Sequence, residues 1–183
     1  MKALNSAWID TPCGSMLAVA DENALFLLEF CERRGLQHEI ERLQKVTQLE
    51  IVRGKTAPLI SIEQELHLYF QGNLKTFHTP VQILGTPFQQ QVWAALLKIP
   101  YGTTCSYAEL AQSIKKPSAF RAVANANGAN QLAILIPCHR VIYSNGTLGG
   151  YGGGLHNKQY LLSLEKTFSE KSLSKKRSLL NLI

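Results

Sequence analysis

The sharpest chemical feature of the sequence is a thiol set between a proline and an imidazole, Pro137-Cys138-His139. Thiolate is the nucleophilic form of cysteine, and a nearby histidine can hold its proton or form the ion pair that lowers its pKa. A buried cysteine is otherwise an inert small hydrophobe. Neighbours on an extended chain face opposite sides, so a bend or a bridging water is needed for the two groups to act together. The imidazole also needs a carboxylate to orient its ring. Beyond residue 85 the only acids are Glu109, Glu165 and Glu170, and Glu165, facing back from the last helix, is the best placed. The glycine run Gly149-Gly150-Tyr151-Gly152-Gly153-Gly154 lacks the Gly-Lys-Ser/Thr ending of a phosphate cradle and does not open a strand-first βαβ unit. Its bare backbone allows close approach to a flat ligand on which Tyr151 can stack, and a mobile turn is the simpler alternative.

These residues must be held by the elements around them. Leu132 to Ile136 is continuously apolar and predicts an extended segment leading into Pro137, and Leu155 to Glu165 resumes a helical period through Leu161, Leu162 and Leu164. Upstream, Thr86-Pro87-Phe88-Gln89 and Ser106-Tyr107-Ala108-Glu109 both read as capping boxes, and Pro117-Ser118 starts a further helix running to Asn127-Gly128. The last two make a helix-turn-helix candidate, with Arg121 near the start of its second helix, where recognition residues project. An arginine on a solvated helix face is the alternative. Before Gly85 the apolar runs 7–9, 16–20 and 24–30, separated by turn signals, read as a small antiparallel meander, with helices near Leu36 to Lys45 and Leu59 to Phe70. No chemical constellation appears there, so residues 1–85 are expected to be structural, with a linker near Thr79 to Gly85.

Composition narrows the class. At 183 residues, 45% hydrophobic and 17% charged, the chain can bury a core. No apolar run is long enough for a membrane span, and the opening residues lack the apolar stretch of a secretory signal, so a cytoplasmic protein is expected. Cys13, Cys31, Cys105 and Cys138 show neither a disulfide framework nor Cys-x-x-Cys spacing. The net charge of +6 is uneven: residues 1–85 hold 8 Lys and Arg against 10 Asp and Glu, whereas residues 86–183 hold 11 against 3. A polyanion meeting the second half fits that asymmetry, and a solvated basic face is the alternative.

The run Ile136-Pro137-Cys138-His139-Arg140-Val141, with Arg121-Ala122-Val123 and Gly153-Gly154-Leu155 ahead of Leu161-Leu162 and Glu165, resembles the methylated-DNA–protein-cysteine methyltransferases, the O6-alkylguanine-DNA alkyltransferases, in their bacterial constitutive form. The resemblance is dense over residues 86–165 and covers the first half in outline. It implies an α/β N-terminal domain with a small antiparallel sheet and helices (1–85) and a mainly α C-terminal domain with a winged-helix-like helix-turn-helix (86–168); the basic stretch 169–183 lies outside the motif and is expected to be a flexible, solvated tail. It further implies a single-turnover DNA repair protein: Cys138 takes an alkyl group from O6 of a flipped guanine and keeps it. His139, through a water, and Glu165 form the relay that makes the thiolate. Asn130 braces the segment, and Tyr107 protonates the departing guanine. Arg121 fills the gap left by the base, and Ser106, Tyr107, Ser118, Ala119 and Ala122 meet the DNA backbone in the minor groove. Val141, Tyr151, Gly152 and Gly153 line the guanine pocket. The implied partner is double-stranded DNA carrying O6-alkylguanine, met by a monomer without a cofactor.

Two positions depart from the family's pattern. Ala124 stands where Gly is common after Arg-Ala-Val, and Gln131 stands where Pro commonly follows the bracing Asn. Some relatives hold a structural zinc in the N-terminal domain, but no ligand set matches here and no metal is expected. The competing classes are a non-catalytic DNA-damage binder, which would lack the reactive cysteine, and a cysteine hydrolase, which would need no basic DNA-facing half.

Overall fold

The computed structural model describes residues 3–180, with side chains through Lys171. Strands β1 (Leu4–Thr11), β2 (Gly14–Ala20) and β3 (Leu25–Phe30) form the expected antiparallel meander. The sheet is not purely antiparallel, however. After helix α1 (Leu36–Thr47) the chain returns as β4 (Ile51–Arg53), which pairs parallel to β1 and gives a mixed sheet of order β3-β2-β1-β4. Only three residues form β4, too few to register as a strand pattern in sequence.

Side chains alternate across the sheet. Leu17, Val19 and Leu27 meet Leu43 of α1 on one face, and Met16, Ala18, Leu28 and Phe30 meet Leu59, Ile62, Leu66 and Tyr69 of α2 (Ala57–Phe70) on the other. That second cluster does not stop at residue 85. It continues through Val92, Trp93 and Leu96 of α3 (Pro87–Leu96) to Ile134, Ile136, Cys138, Val141 and Leu161. The expected linker is therefore pinned. Leu25 N donates to Pro80 O at 2.8 Å, Gln82 N to Leu25 O at 2.9 Å, and the Glu65 carboxylate accepts from His78 N and Thr79 N.

Both capping boxes form. Thr86 and Gln89 bond reciprocally at the start of α3, as do Ser106 and Glu109 at the start of α4 (Tyr107–Ser113). A turn with Lys115 at φ 60 and a 3-10 turn over Pro117–Ala119 lead into α5 (Phe120–Gly128), completing the helix-turn-helix. Trp93 of α3 ties the pair to the core, its indole N–H donating to Ala126 O at 2.8 Å.

One expectation needs correction. Leu132–Ile136 is not a strand: Leu132 alone bridges to Leu28, Ile134 sits at φ 70, and Ile136 N closes a turn on Leu132 O at 2.9 Å. The apolar run reports enclosure, with Leu135 alone partly exposed, and not extension. The backbone of α6 runs from Leu155 to Leu180 and takes in residues 169–180 of the expected basic tail. Residues 181–183 lie outside the described residues. Among the described residues no helix is long and apolar enough to cross a membrane.

Candidate active site

Cys138 opens a single 3-10 turn, Cys138–Arg140, that follows the enclosed turn and leads into β6 (Val141–Ile142). This turn supplies the bend that an extended chain would lack, so Cys138 and His139 need not face opposite ways. Asn130 holds the thiol from the side. Its Nδ2 donates to Cys138 Sγ at 3.1 Å and to Ile136 O at 2.9 Å, and its Oδ1 accepts from Leu132 N at 3.0 Å. The thiol is only 6% exposed. Burial pushes it up to about 11, against the bond from Asn130 and the charges of Arg33 and Lys158, so the resting group is a neutral thiol.

His139 is wholly buried, and its Nε2 lies 2.8 Å from Glu165 Oε1. Glu165 gathers four further donations: Arg140 Nε at 2.8 Å and Nη2 at 2.9 Å, Tyr69 OH at 2.8 Å, and Gly102 N at 3.1 Å. Burial alone would raise this carboxyl, but the bonds and charges of His139 and Arg140 outweigh it and hold it at about 2. An ionised carboxylate can only accept, so Nε2 carries the proton toward it. Burial lowers the His139 pKa and keeps the ring neutral, against the opposing pull of Glu165 that would raise it. In that tautomer Nδ1 is the basic nitrogen, and it has no hydrogen-bond partner. The arrangement is an oriented base beside a protonated nucleophile.

The surrounding walls come from four places. Tyr107, the first residue of α4, stacks near Tyr143 with ring centroids 5.5 Å apart, and a Cβ at Gly149 would lie 3.3 Å from its hydroxyl. Its pKa is raised by burial first, then by Tyr143 and Cys138. Val141 pairs with Cys105 in a parallel ladder of two residues a strand, β5 (Cys105–Ser106) with β6. Hydrogen bonds worth about 1 kcal/mol each are too few to hold such a ladder alone. Lys158 reinforces it: fully buried on α6, its Nζ donates to Val141 O at 2.6 Å and reaches Gly150 O at 3.5 Å. Tyr151 meets Phe30 edge-on at 6.2 Å and His139 at 6.4 Å. Gly153 must lack a side chain, since a Cβ there would come within 2.3 Å of the Phe30 ring.

The residues expected to face DNA form a separate surface. Phe120, Arg121, Ala122 and Ser118 are exposed and Ala119 partly so, with the Arg121 guanidinium 5.8 Å from the Phe120 ring. Ser106 is instead buried and occupied as the cap of α4, which leaves its backbone N–H and side chain bonded to Glu109. The sequence reading thus brings Cys138, His139, Glu165, Asn130, Tyr107, Val141 and Tyr151 into one centre and sets Arg121 apart on α5.

Sequence reasoning missed Tyr69, Lys158, Arg33 and Phe30, and quoted Arg140 in its motif without reading its pairing with Glu165. A signal existed for one of them: Lys158, Leu161 and Glu165 share one stripe of α6, and two charges on an apolar stripe mark a buried polar site. Among the described residues no group of three or more His, Cys, Asp or Glu is gathered as metal ligands would be.

Residues 87–167 match the family model for the 6-O-methylguanine DNA methyltransferase DNA-binding domain. The methylated-DNA–protein-cysteine methyltransferase of Mycobacterium tuberculosis H37Rv is 54% identical over 103 residues, a stretch covering 56% of this chain and 62% of that protein, less than two thirds of its length. The constitutive enzyme of that name from Bacillus subtilis is 39% identical over 164 residues, covering 88% and 96%. The crystal structure of Mycobacterium tuberculosis OGT in complex with DNA superposes with a TM-score of 0.77 at 40% identity, over 90% of this chain and 94% of that one. The likeness therefore extends beyond the reactive segment into the N-terminal sheet, as it does for the Mycobacterium leprae protein at 41% identity over 86% of this chain and 90% of that one, and the chain belongs to the methylated-DNA–protein-cysteine methyltransferase family.

Proposed function

We propose that this protein repairs DNA by moving an alkyl group from O6 of guanine onto Cys138, once per molecule. The observation that carries this reading is the thiol held by Asn130 beside a neutral His139 whose far nitrogen is fixed by Glu165. The Cys138 proton passes through a water to His139 Nδ1, and Glu165 stabilises the imidazolium that results. The sulfur then attacks the alkyl carbon, an S–C bond forms as the C–O6 bond breaks, and guanine leaves with the electron pair. Tyr107 gives a proton to the departing base and is reprotonated from solvent, while the His139 imidazolium releases to solvent the proton it took from the thiol, so the net change is one proton lost by Cys138 and one gained by guanine. The product thioether is a poor leaving group, and no second acceptor adjoins it.

A guanine stacked in a duplex cannot present its O6 substituent to a thiol this deeply buried, so the base must be flipped, at a cost of a few kcal/mol. Phosphate attraction to the basic half, with Arg121 entering the vacated stack from the minor groove, offsets that cost without reading sequence. The protein acts as a monomer in this scheme. Incubation with duplex DNA containing O6-methylguanine tests it by intact mass. One methyl should appear on the wild type and none on Cys138→Ser, which should still bind DNA. Sustained turnover, or transfer by the Ser variant, overturns the proposal.

A further inference from the structure

The brace on the thiol is itself held from the other half of the molecule. Five hydrogen bonds fasten the Gly128–Ala133 segment to the N-terminal sheet and α1: Leu28 N to Gln131 O, Ala133 N to Leu28 O, Arg33 Nη1 to Asn130 O at 2.9 Å, Arg33 Nη2 to Gly128 O at 3.0 Å, and Gln131 Nε2 to Glu39. From its own half, the Asn130 backbone N–H has one long bond, to Asn127 O at 3.3 Å. The Asn130 side chain has its bonds committed to Sγ, Ile136 O and Leu132 N, so its aim follows from where its backbone is held.

We propose that Arg33 is a positioning residue for the reactive thiol, fixing Asn130 against Cys138 from the opposite half of the chain. This rests on the reading of Cys138 as the alkyl acceptor. Arg33 is well anchored for the task. Its backbone N–H returns to Phe30 O at 3.0 Å at the end of β3, and its guanidinium pairs with the buried Glu29 carboxylate at 2.6 Å. The fork then reaches both carbonyls of the bracing segment, a use of planar geometry that a lysine cannot reproduce. The same group lies against the glycine loop, because a Cβ on Gly152 would sit 3.2 Å from its Cζ. One side chain therefore spans the brace and the pocket wall.

Charge adds a second consequence. Arg33 and Lys158 favour the Cys138 thiolate and Glu29 opposes it. His139, Tyr107 and Tyr151 face the thiol from the turn, α4 and the glycine loop, and burial keeps all three in their neutral forms. Removing Arg33 leaves Glu29 uncompensated toward the thiolate, although burial raises Glu29 itself to about 7. The reactivity of Cys138 should then shift to higher pH.

The test uses the full chain and a soluble O6-alkylguanine base, so that DNA binding does not enter the rate. Arg33→Ala should react about ten- to a hundredfold more slowly, the range for losing a buried charge-assisted bond, with its pH profile displaced upward. Arg33→Lys should restore the pH profile while staying slow, because charge returns without the fork. Gln131→Ala, which cuts only the bond to α1, should slow the reaction by a smaller factor. Rates are normalised to the folded fraction at each pH, measured by circular dichroism. A wild-type rate and profile per folded Arg33→Ala molecule overturns the positioning role, as does full recovery of rate in Arg33→Lys. If the wild type itself gains no alkyl group, it is the assignment of Cys138 that fails instead.

Discussion

Replacing Glu165 by glutamine keeps its volume and removes its charge. The carboxyl stands at about 2 against an ordinary 4.5, and that difference corresponds to about 3 kcal/mol of stabilisation. Because the folded pKa is depressed, this contribution is complete above pH 4.5 and is lost as pH falls toward 2. The variant also leaves Arg140 buried without its carboxylate partner, and breaking a buried pair on one side costs about 3–5 kcal/mol, so the two routes agree in size. Urea unfolding of both proteins from pH 7 down to pH 3 measures it. The gap in unfolding free energy should be about 3 kcal/mol at neutral pH and should narrow below pH 4.5. A gap that stays constant with pH would refute the argument, because the loss would then come from shape and not from charge. Alkyl transfer by the folded variant should be slower, with the apparent thiol pKa raised, since the imidazolium formed beside the thiolate has lost its counter-charge.

Other perturbations separate the parts of the site. Lys158→Met removes the ammonium from Val141 O and from the neighbourhood of Cys138, so the reactivity profile of the thiol should move to higher pH while DNA binding persists; an unchanged profile assigns Lys158 to packing alone. Gly153→Ala sets a methyl against Phe30, which should cost about 1–3 kcal/mol in thermal unfolding, and a Phe30→Ala partner should recover part of it. A double variant no more stable than Gly153→Ala contradicts that contact. Arg121→Ala should slow repair of duplex DNA far more than reaction with the free base, and Arg121→Lys should remain impaired on duplex with little change in salt dependence. Equal losses on both substrates place Arg121 in the fold instead.

The reactive segment was legible because its chemistry is local. Pro137-Cys138-His139 names the proposed nucleophile and base, and the two capping boxes name the helices that frame them. What stayed hidden depends on contacts between distant stretches. Tyr69 reaches Glu165 across 96 positions and Arg33 reaches Asn130 across 97, and no pattern within a single helix or strand reports such a meeting. The apolar run 132–136 misled for a related reason, since period and hydrophobicity report how deeply a segment is enclosed and not whether it is extended. The first half was therefore expected to be structural, whereas its Tyr69, Arg33 and Phe30 all touch the reactive centre.

The buried thiol also decides which molecules the protein ignores. With a pKa of about 11, the fraction of Cys138 present as thiolate at pH 7.4 is on the order of 10⁻⁴. Small electrophiles drifting through solution meet a neutral, shielded sulfur and find no partner for reaction. A ligand that fills the pocket sets its reacting carbon against the sulfur while the tyrosine and the imidazole are there to handle the protons. Selectivity then lies in who can assemble the reactive state, and not in the intrinsic appetite of the nucleophile. On the proposed single-use reading, a sulfur of this kind is preserved by staying dormant between encounters.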